Sequence, residues 1–179
     1  MTQENQLIKE LMDPKTRYGA FEKVVKAYSS QLYSQIRRMA LNHEDTDDIL
    51  QNTFLKAWIN IGTFRGESKI STWLYRIACN ESITFLQQKK QHCTIDDPEA
   101  NIVNLLMADE YFDGDETEAQ FQQAINELPE KQRMIFNMKY FSEMKYEEIS
   151  DILGTSIGGL KASYHLAVKK IESFFDNQD

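Results

Sequence analysis

The stretch TDDILQNTFLKAWINIGTFRGESKISTWLYRIACNESITFLQQ, residues 46–88, leaves the backbone few options. Ile49, Leu50, Thr53, Phe54, Ala57, Trp58 and Ile61 recur at three- and four-residue steps, the period that lines one face of an α-helix. Asp45, Asp47 and Asp48 stand at the start of that helix, where carboxylates suit unpaired N–H groups and the positive end of the dipole. Gly62 and Gly66 then break the pattern. Ser71-Thr72 can cap a further helix running through Trp73, Leu74, Ile77, Ile83 and Phe85. The stretch therefore predicts two helices joined by a bent loop.

The same period extends in both directions. Upstream, Phe21, Val24, Val25, Tyr28, Leu32, Tyr33 and Ile36 mark one helix. Downstream, Pro129 suits the first turn of another, continued by Met134, Ile135, Met138 and Phe141. Tyr146, Ile149, Ile152 and Leu153 predict a short helix ending at Gly154, and Thr155-Ser156 offers an N-cap for a last one through Ile157, Leu160, Tyr164, Val168, Ile171 and Phe175. No strand-like alternation and no internal repeat is legible. With 41% apolar residues the chain can fill a core. The expectation is an all-α protein of two small helical domains, 1–93 and 119–179, joined by an acidic linker at 94–118, with the second domain ending in a helix-turn-helix.

Charge follows this division. The net charge of −8 looks adverse to any polyanion partner, but residues 1–93 carry +3, residues 94–118 carry nine acids and no base, and residues 119–179 carry −2. Within the linker, Ile102, Val103, Leu105, Leu106 and Met107 form an apolar island, suited to a short helix or a docking segment. No run reaches the roughly 18 apolar residues of a membrane span, and the start MTQENQLIKE lacks signal-peptide features. The expected location is the cytoplasm, without membrane insertion. Cys79 and Cys93 have no metal-ligand spacing and read as idle thiols; the three histidines are scattered.

Three surfaces can carry chemistry. A short helix, a turn at Gly154 and a helix from Ile157 make a helix-turn-helix, in which the second helix enters the major groove. Ser156, Gly159, Lys161, Ala162 and His165 would face bases, and Lys169 and Lys170 phosphates. An ordinary helical hairpin with a solvated lysine face has the same pattern. The loop IGTFRGESK offers Arg65, Ser68 and Lys69 around a bent path that can hold an extruded base, or merely connect two helices. Beyond it, Trp73 and Tyr75 can stack on bases, Arg76, Lys89 and Lys90 can track phosphates, and Asn80 can read a base edge. Trp73, Leu74 and Ile77 equally fit core spacing. The acids Glu44, Asp45, Asp47 and Asp48 read as helix capping rather than a metal site. No nucleophile–base pattern, phosphate-binding glycine loop or zinc spacing is present, so neither an enzyme nor a cofactor is expected.

The segments DDILQNTFLKAW, FRGESKISTWLYRIACNES, LPEKQRMIFNMKYF and YEEISDILGTSIGGLKA, in that order, resemble bacterial sigma factors of the extracytoplasmic-function (ECF) group, from about Tyr18 to Phe175. The resemblance implies that Asp47, Asp48, Gln51, Phe54 and Leu55 bind the clamp helices of the RNA polymerase core. It implies promoter capture and melting by the loop Phe64–Ile70, with Trp73, Tyr75, Arg76 and Asn80 beyond it. It assigns the upstream promoter element to the helix at 157–171, and an anti-sigma factor as a further partner. Ala162 and Leu166 stand where a polar or basic residue is common in the family, and Gly159 replaces the usual Thr or Ser, which implies sparse upstream contacts. The alternative is a stand-alone helix-turn-helix regulator that binds duplex DNA without polymerase.

Overall fold

The computed structural model describes residues 3–92, 102–110 and 112–177. Among these residues there are helices and turns and no strand. The chain forms α1 (Gln3–Met12), α2 (Arg17–Ala40), α3 (His43–Ile59), a 3-10 turn (Ile61–Thr63) and α4 (Ile70–His92). It continues through α5 (Ile102–Ala108), α6 (Glu116–Asn126), α7 (Glu130–Tyr140), α8 (Tyr146–Leu153) and α9 (Ile157–Asp176). The 93/94 boundary, Cys93 and the first part of the acidic stretch lie outside the described residues.

The first half is an α2–α3–α4 bundle with α1 laid against α2. Val24, Leu32, Ile36, Ile49, Ala57, Ile70 and Leu74 are buried where the three helices meet. Leu41, with φ of 69°, ends α2 in the left-handed conformation while its N–H donates to the Arg37 carbonyl. Asn42 caps α3 by accepting the Asp45 N–H at 2.8 Å. Asp45 sits in the first turn; Asp47 and Asp48 fall one turn later than expected, because α3 begins at His43. Thr46 and Thr53 are buried without cost because their hydroxyls donate back to the Asn42 and Ile49 carbonyls.

The segment before Tyr18, for which the sequence pattern carries no expectation, is a helix, α1, whose Leu11 is 1% exposed. One local expectation is corrected. Ser71 and Thr72 do not cap α4, which already starts at Ile70; the Ile70 N–H instead donates to Glu4 Oε1, from α1, at 3.1 Å. The apolar island forms α5, packed on α6, and α6 begins at Glu116, capped by Asp115. In the second half, Ile125, Leu128, Phe136, Ala167 and Ile171 form a separate small core around which Phe121, Phe141 and Tyr164 pack. Pro129 occupies the N-cap of α7, one position before the predicted first turn.

The two halves pack together, α8 on α4 and α7 on α2, so that Met134, Met138, Ile149 and Ile152 join the first core. The Arg76 guanidinium reaches the C-terminal carbonyls of α8, donating to Ile152 at 3.3 Å and to Asp151. Lys69 pairs with Glu148 at 3.2 Å, and Arg38 stacks 4.2 Å over the Phe141 ring. The seam is not uniformly favourable. Gln35 Oε1 and Asn137 Oδ1 line one small cavity between α2, α4 and α7 and are buried without a hydrogen-bond partner. Such an acceptor costs about 1–3 kcal/mol relative to its hydrated state.

Candidate nucleic-acid interface

The helix-turn-helix is built by residues whose conformations demand it. Gly154, at φ of 63°, ends α8 and turns the chain where a side chain would strain the backbone. Two residues later the Ser156 hydroxyl caps α9 by accepting the Gly159 N–H at 3.3 Å. A Cβ on residue 159 would stand 3.2 Å from that same hydroxyl, so the glycine is matched to the cap. Leu160, Ala167 and Ile171 point inward and fix the rotation of α9. Lys161, Ala162, His165 and Lys169 then share one exposed stripe, with Ser156 at its start and Lys170 on its flank. Leu166, 50% exposed, lies between Ala162 and Lys170 and, with Lys169, Lys170, Leu128 and Phe174, lines an open groove of about 640 Å³ between α6 and α9.

On the first half, loop residues 61–69 and α4 meet at a ring pair, Phe64 against Trp73, with centroids 4.9 Å apart and planes at 32°. Phe64 is 5% exposed and Tyr75 8%, so both rings are packed inward while the two halves are together. Burial, with Cys79 beside it, pushes the Tyr75 hydroxyl above its ordinary range. Arg65, Ser68, Lys69, Arg76 and Asn80 are exposed, and Trp73 is half-buried against Phe64. Lys89 is committed elsewhere: it pairs with Asp45 at 2.5 Å. The side chain of Lys90 lies outside the described residues.

Arg76 and Lys69, two of the cations on this surface, are thus held by the second half of the molecule. A carboxylate and two helix-end carbonyls accept the hydrogen bonds of these two cations. The Lys145 N–H and the Lys69 ammonium hold the Glu148 carboxyl below its usual range, so it stays charged at neutral pH.

A third surface runs along α3. Asp48, Gln51, Asn52, Leu55 and Ile59 are exposed at three- and four-residue steps, with Leu55 57% and Ile59 68% exposed. Asp47 flanks the stripe and pairs with His43 at 3.3 Å. Phe54 turns away from it, half-buried and edge-on to Phe21 at 6.4 Å. Trp58, part of the apolar repeat of α3, is 37% exposed and packs on Phe21 at 5.1 Å and on Tyr18, which is 70% exposed. The exposure of Trp58 and Ile59 was not legible, because apolar residues at helical spacing, like the buried Ile49 and Ala57, read as core.

The helix-turn-helix within an all-helical fold defines the class, an all-helical DNA-binding protein. Residues 24–92 match the family model of sigma-70 region 2, and residues 118–171 match that of sigma-70 region 4. The chain is 35% identical over 156 residues to the ECF RNA polymerase sigma factor SigW of Bacillus subtilis, spanning 82% of this chain and 83% of that protein. It is 27% identical to the RNA polymerase sigma-H factor of Pseudomonas aeruginosa, over 95% and 92% of the two chains. The chain belongs to the sigma-70 family, in its ECF group. The fold is shared with CnrH, solved in complex with the cytosolic domain of CnrY, at a TM-score of 0.72, 17% identity and coverage of 98% and 99%. It is shared with the sigma factor RpoE of Bartonella quintana, solved with the anti-sigma factor NepR, at 0.67, 22% identity and 87% and 96% coverage.

Proposed function

We propose that this ECF sigma factor docks on core RNA polymerase through the α3 stripe, using Asp48, Gln51 and Leu55 with Asp47 beside them, and delivers the enzyme to a promoter. Residues 1–93 act as the domain that binds core and melts DNA, 94–118 as the linker, and 119–179 as the domain that reads the upstream element. In the first, Arg65, Ser68, Lys69, Trp73, Arg76 and Asn80 hold the separated strand. In the second, Ser156, Gly159, Lys161, Ala162 and His165 face bases while Lys169 and Lys170 meet phosphates. The protein performs no chemistry of its own and works in the cytoplasm; no described helix is long and apolar enough to cross a membrane.

The observation that carries this reading is the succession of a region 2 match and a region 4 match along one chain, each placed on an exposed polar stripe of its own. Family membership also answers the choice between this reading and a stand-alone regulator. Because Arg76 and Lys69 are held by α8, the two halves part before the α4 surface meets DNA, and binding to core is the event that parts them. Control by an anti-sigma factor is part of the proposal, supported by the folds shared with CnrH bound to CnrY and RpoE bound to NepR.

Co-elution with bacterial core polymerase tests the docking surface. Asp48 is exposed, so Asp48→Ala leaves stability within about 0.5 kcal/mol. It is expected to weaken core binding while the protein's own affinity for duplex DNA is unchanged. Unaltered co-elution of both Asp48→Ala and Leu55→Asp would remove α3 as the docking face.

A further inference from the structure

The short N-terminal helix has no part in the surfaces described so far, yet it touches the loop that the proposed function makes central. Ile70 opens α4, and its N–H is one of the donors that a helix start leaves without an intrahelical acceptor. Glu4 Oε1 accepts it at 3.1 Å from a point 66 residues earlier in the chain. Nearby, Gly66 holds a φ of +72°, and a Cβ added there would lie 3.0 Å from Ile8 Cγ2. Ile8 therefore packs directly on the loop backbone, at a position whose conformation already disfavours any other residue. The far end of α1 is anchored independently. Leu11 is buried, Arg17 Nε donates to the Leu11 carbonyl at 2.9 Å, Thr16 Oγ1 donates to the Glu10 carbonyl at 2.8 Å, and Lys23 pairs with Glu10 at 2.8 Å. A ten-residue helix is marginal by itself in water, so α1 exists because it is docked.

We infer that α1 is a brace for the strand-capturing loop, with Glu4 and Ile8 as positioning residues that hold residues 61–70 in the conformation that receives melted DNA. A loop carrying two glycines pays an ordering cost each time it binds, and its apparent affinity scales with the fraction already in the competent shape. The Glu4 carboxylate raises that fraction in two ways. It accepts an orphan donor, and it places a negative charge at the positive end of the α4 dipole. Ile8 closes the space into which the loop would otherwise collapse. Neither residue lies on the α3 stripe, so the brace acts on DNA capture and not on docking to core. The inference rests on the proposed function, since it concerns how that function's loop is held.

The test uses holoenzyme assembled from bacterial core polymerase and the full chain. The probe is a forked DNA whose sequence comes from a promoter that the wild-type holoenzyme selects from a random pool, with 2-aminopurine in the unpaired strand. Glu4→Ala is expected to lower affinity for the fork about five-fold, the equivalent of a typical lost cap, with unchanged affinity for core. Glu4→Gln, which keeps a carbonyl oxygen for the Ile70 N–H, is expected to recover most of the loss. Ile8→Ala is expected to weaken fork binding in the same selective way. The inference is overturned if Glu4→Ala binds the fork like wild type, if fork and core affinities fall together, or if Glu4→Gln is as weak as Glu4→Ala. A wild-type protein that selects no promoter with core would overturn the proposed function itself, and the brace with it.

Discussion

Arg76 carries two competing assignments, and substituting it separates them. In the free protein its guanidinium donates to the Ile152 and Asp151 carbonyls, joining α4 to the end of α8. In the holoenzyme it is proposed to meet DNA. A hydrogen bond from a charged donor contributes about 1.5–3 kcal/mol. Solvent screening at this exposed site cuts each bond to well under about 1 kcal/mol, so removing both by Arg76→Ala is expected to weaken the seam by about 1.4 kcal/mol, roughly a ten-fold rise in the ratio of open to closed molecules. Two orphaned carbonyl oxygens, Gln35 Oε1 and Asn137 Oδ1, already weigh against closure, which makes such a shift visible. Single-molecule energy transfer reads it directly, with dyes on cysteines introduced at Ser30 in α2 and Asp176 in α9, in a chain carrying Cys93→Ser. Cys79 lines the seam cavities beside Met134, so the same chain also carries Cys79→Ala to keep dye off it in the open form. Arg76→Ala should enlarge the low-transfer population and speed amide exchange at the end of α8. It should also weaken forked-DNA binding by the holoenzyme. A distance distribution identical to wild type would refute the reasoning that Arg76 holds the seam.

Other perturbations test separate parts of the structure. Gly154→Ala forces a side chain into φ of +63° with open space around it, so only backbone strain opposes it; a loss of about 1 kcal/mol in chemical denaturation is expected. Lys169→Ala and Lys170→Ala are each expected to reduce the slope of log affinity against log salt on upstream duplex by about one, without changing which sequence is preferred. Burial pushes the Cys79 thiol up to about 12 from an ordinary 9.0, so iodoacetamide at pH 8 should modify it only in molecules whose halves have parted or that have unfolded. The sign of the accompanying pH dependence follows, because the folded state holds this proton more tightly. The stabilisation is complete below about 9 and is lost as pH rises toward about 12. Denaturant titrations across that window should show falling stability, with a shallower fall for Cys79→Ala.

How much was legible depended on whether the determinant was local. The cores of α2, α3 and α4 follow the three- and four-residue spacing of Val24, Leu32, Ile49, Ala57 and Leu74, and each of these is buried. The helix-turn-helix was legible because Gly154 and Ser156 act on the residues beside them. The cap on α4 was not, since the local candidates Ser71 and Thr72 sit one residue too late and the true acceptor, Glu4, comes from a distant helix. α1 escaped for a related reason: QENQLIKELM shows only Leu7, Ile8 and Leu11 before its last residue, too few to mark a helix that docking stabilises. Of the residues proposed to meet DNA, Arg65, Lys69 and Arg76 are exposed as charged side chains usually are, but sequence could not tell that Phe64 and Tyr75 face inward. Aromatic residues at helical spacing serve core and surface alike, as Tyr75 and Trp58 show from opposite sides. The seam between the halves is entirely non-local and left no trace in any one segment.

Run-off transcription tests the central claim most directly. Purified protein is combined with bacterial core polymerase lacking any other sigma factor and with a pool of promoter fragments. The account predicts discrete transcripts from a subset of fragments that require this protein and are reduced with Asp48→Ala. Absence of any transcript and of any complex with core, together with tight duplex binding by the isolated protein, would contradict it.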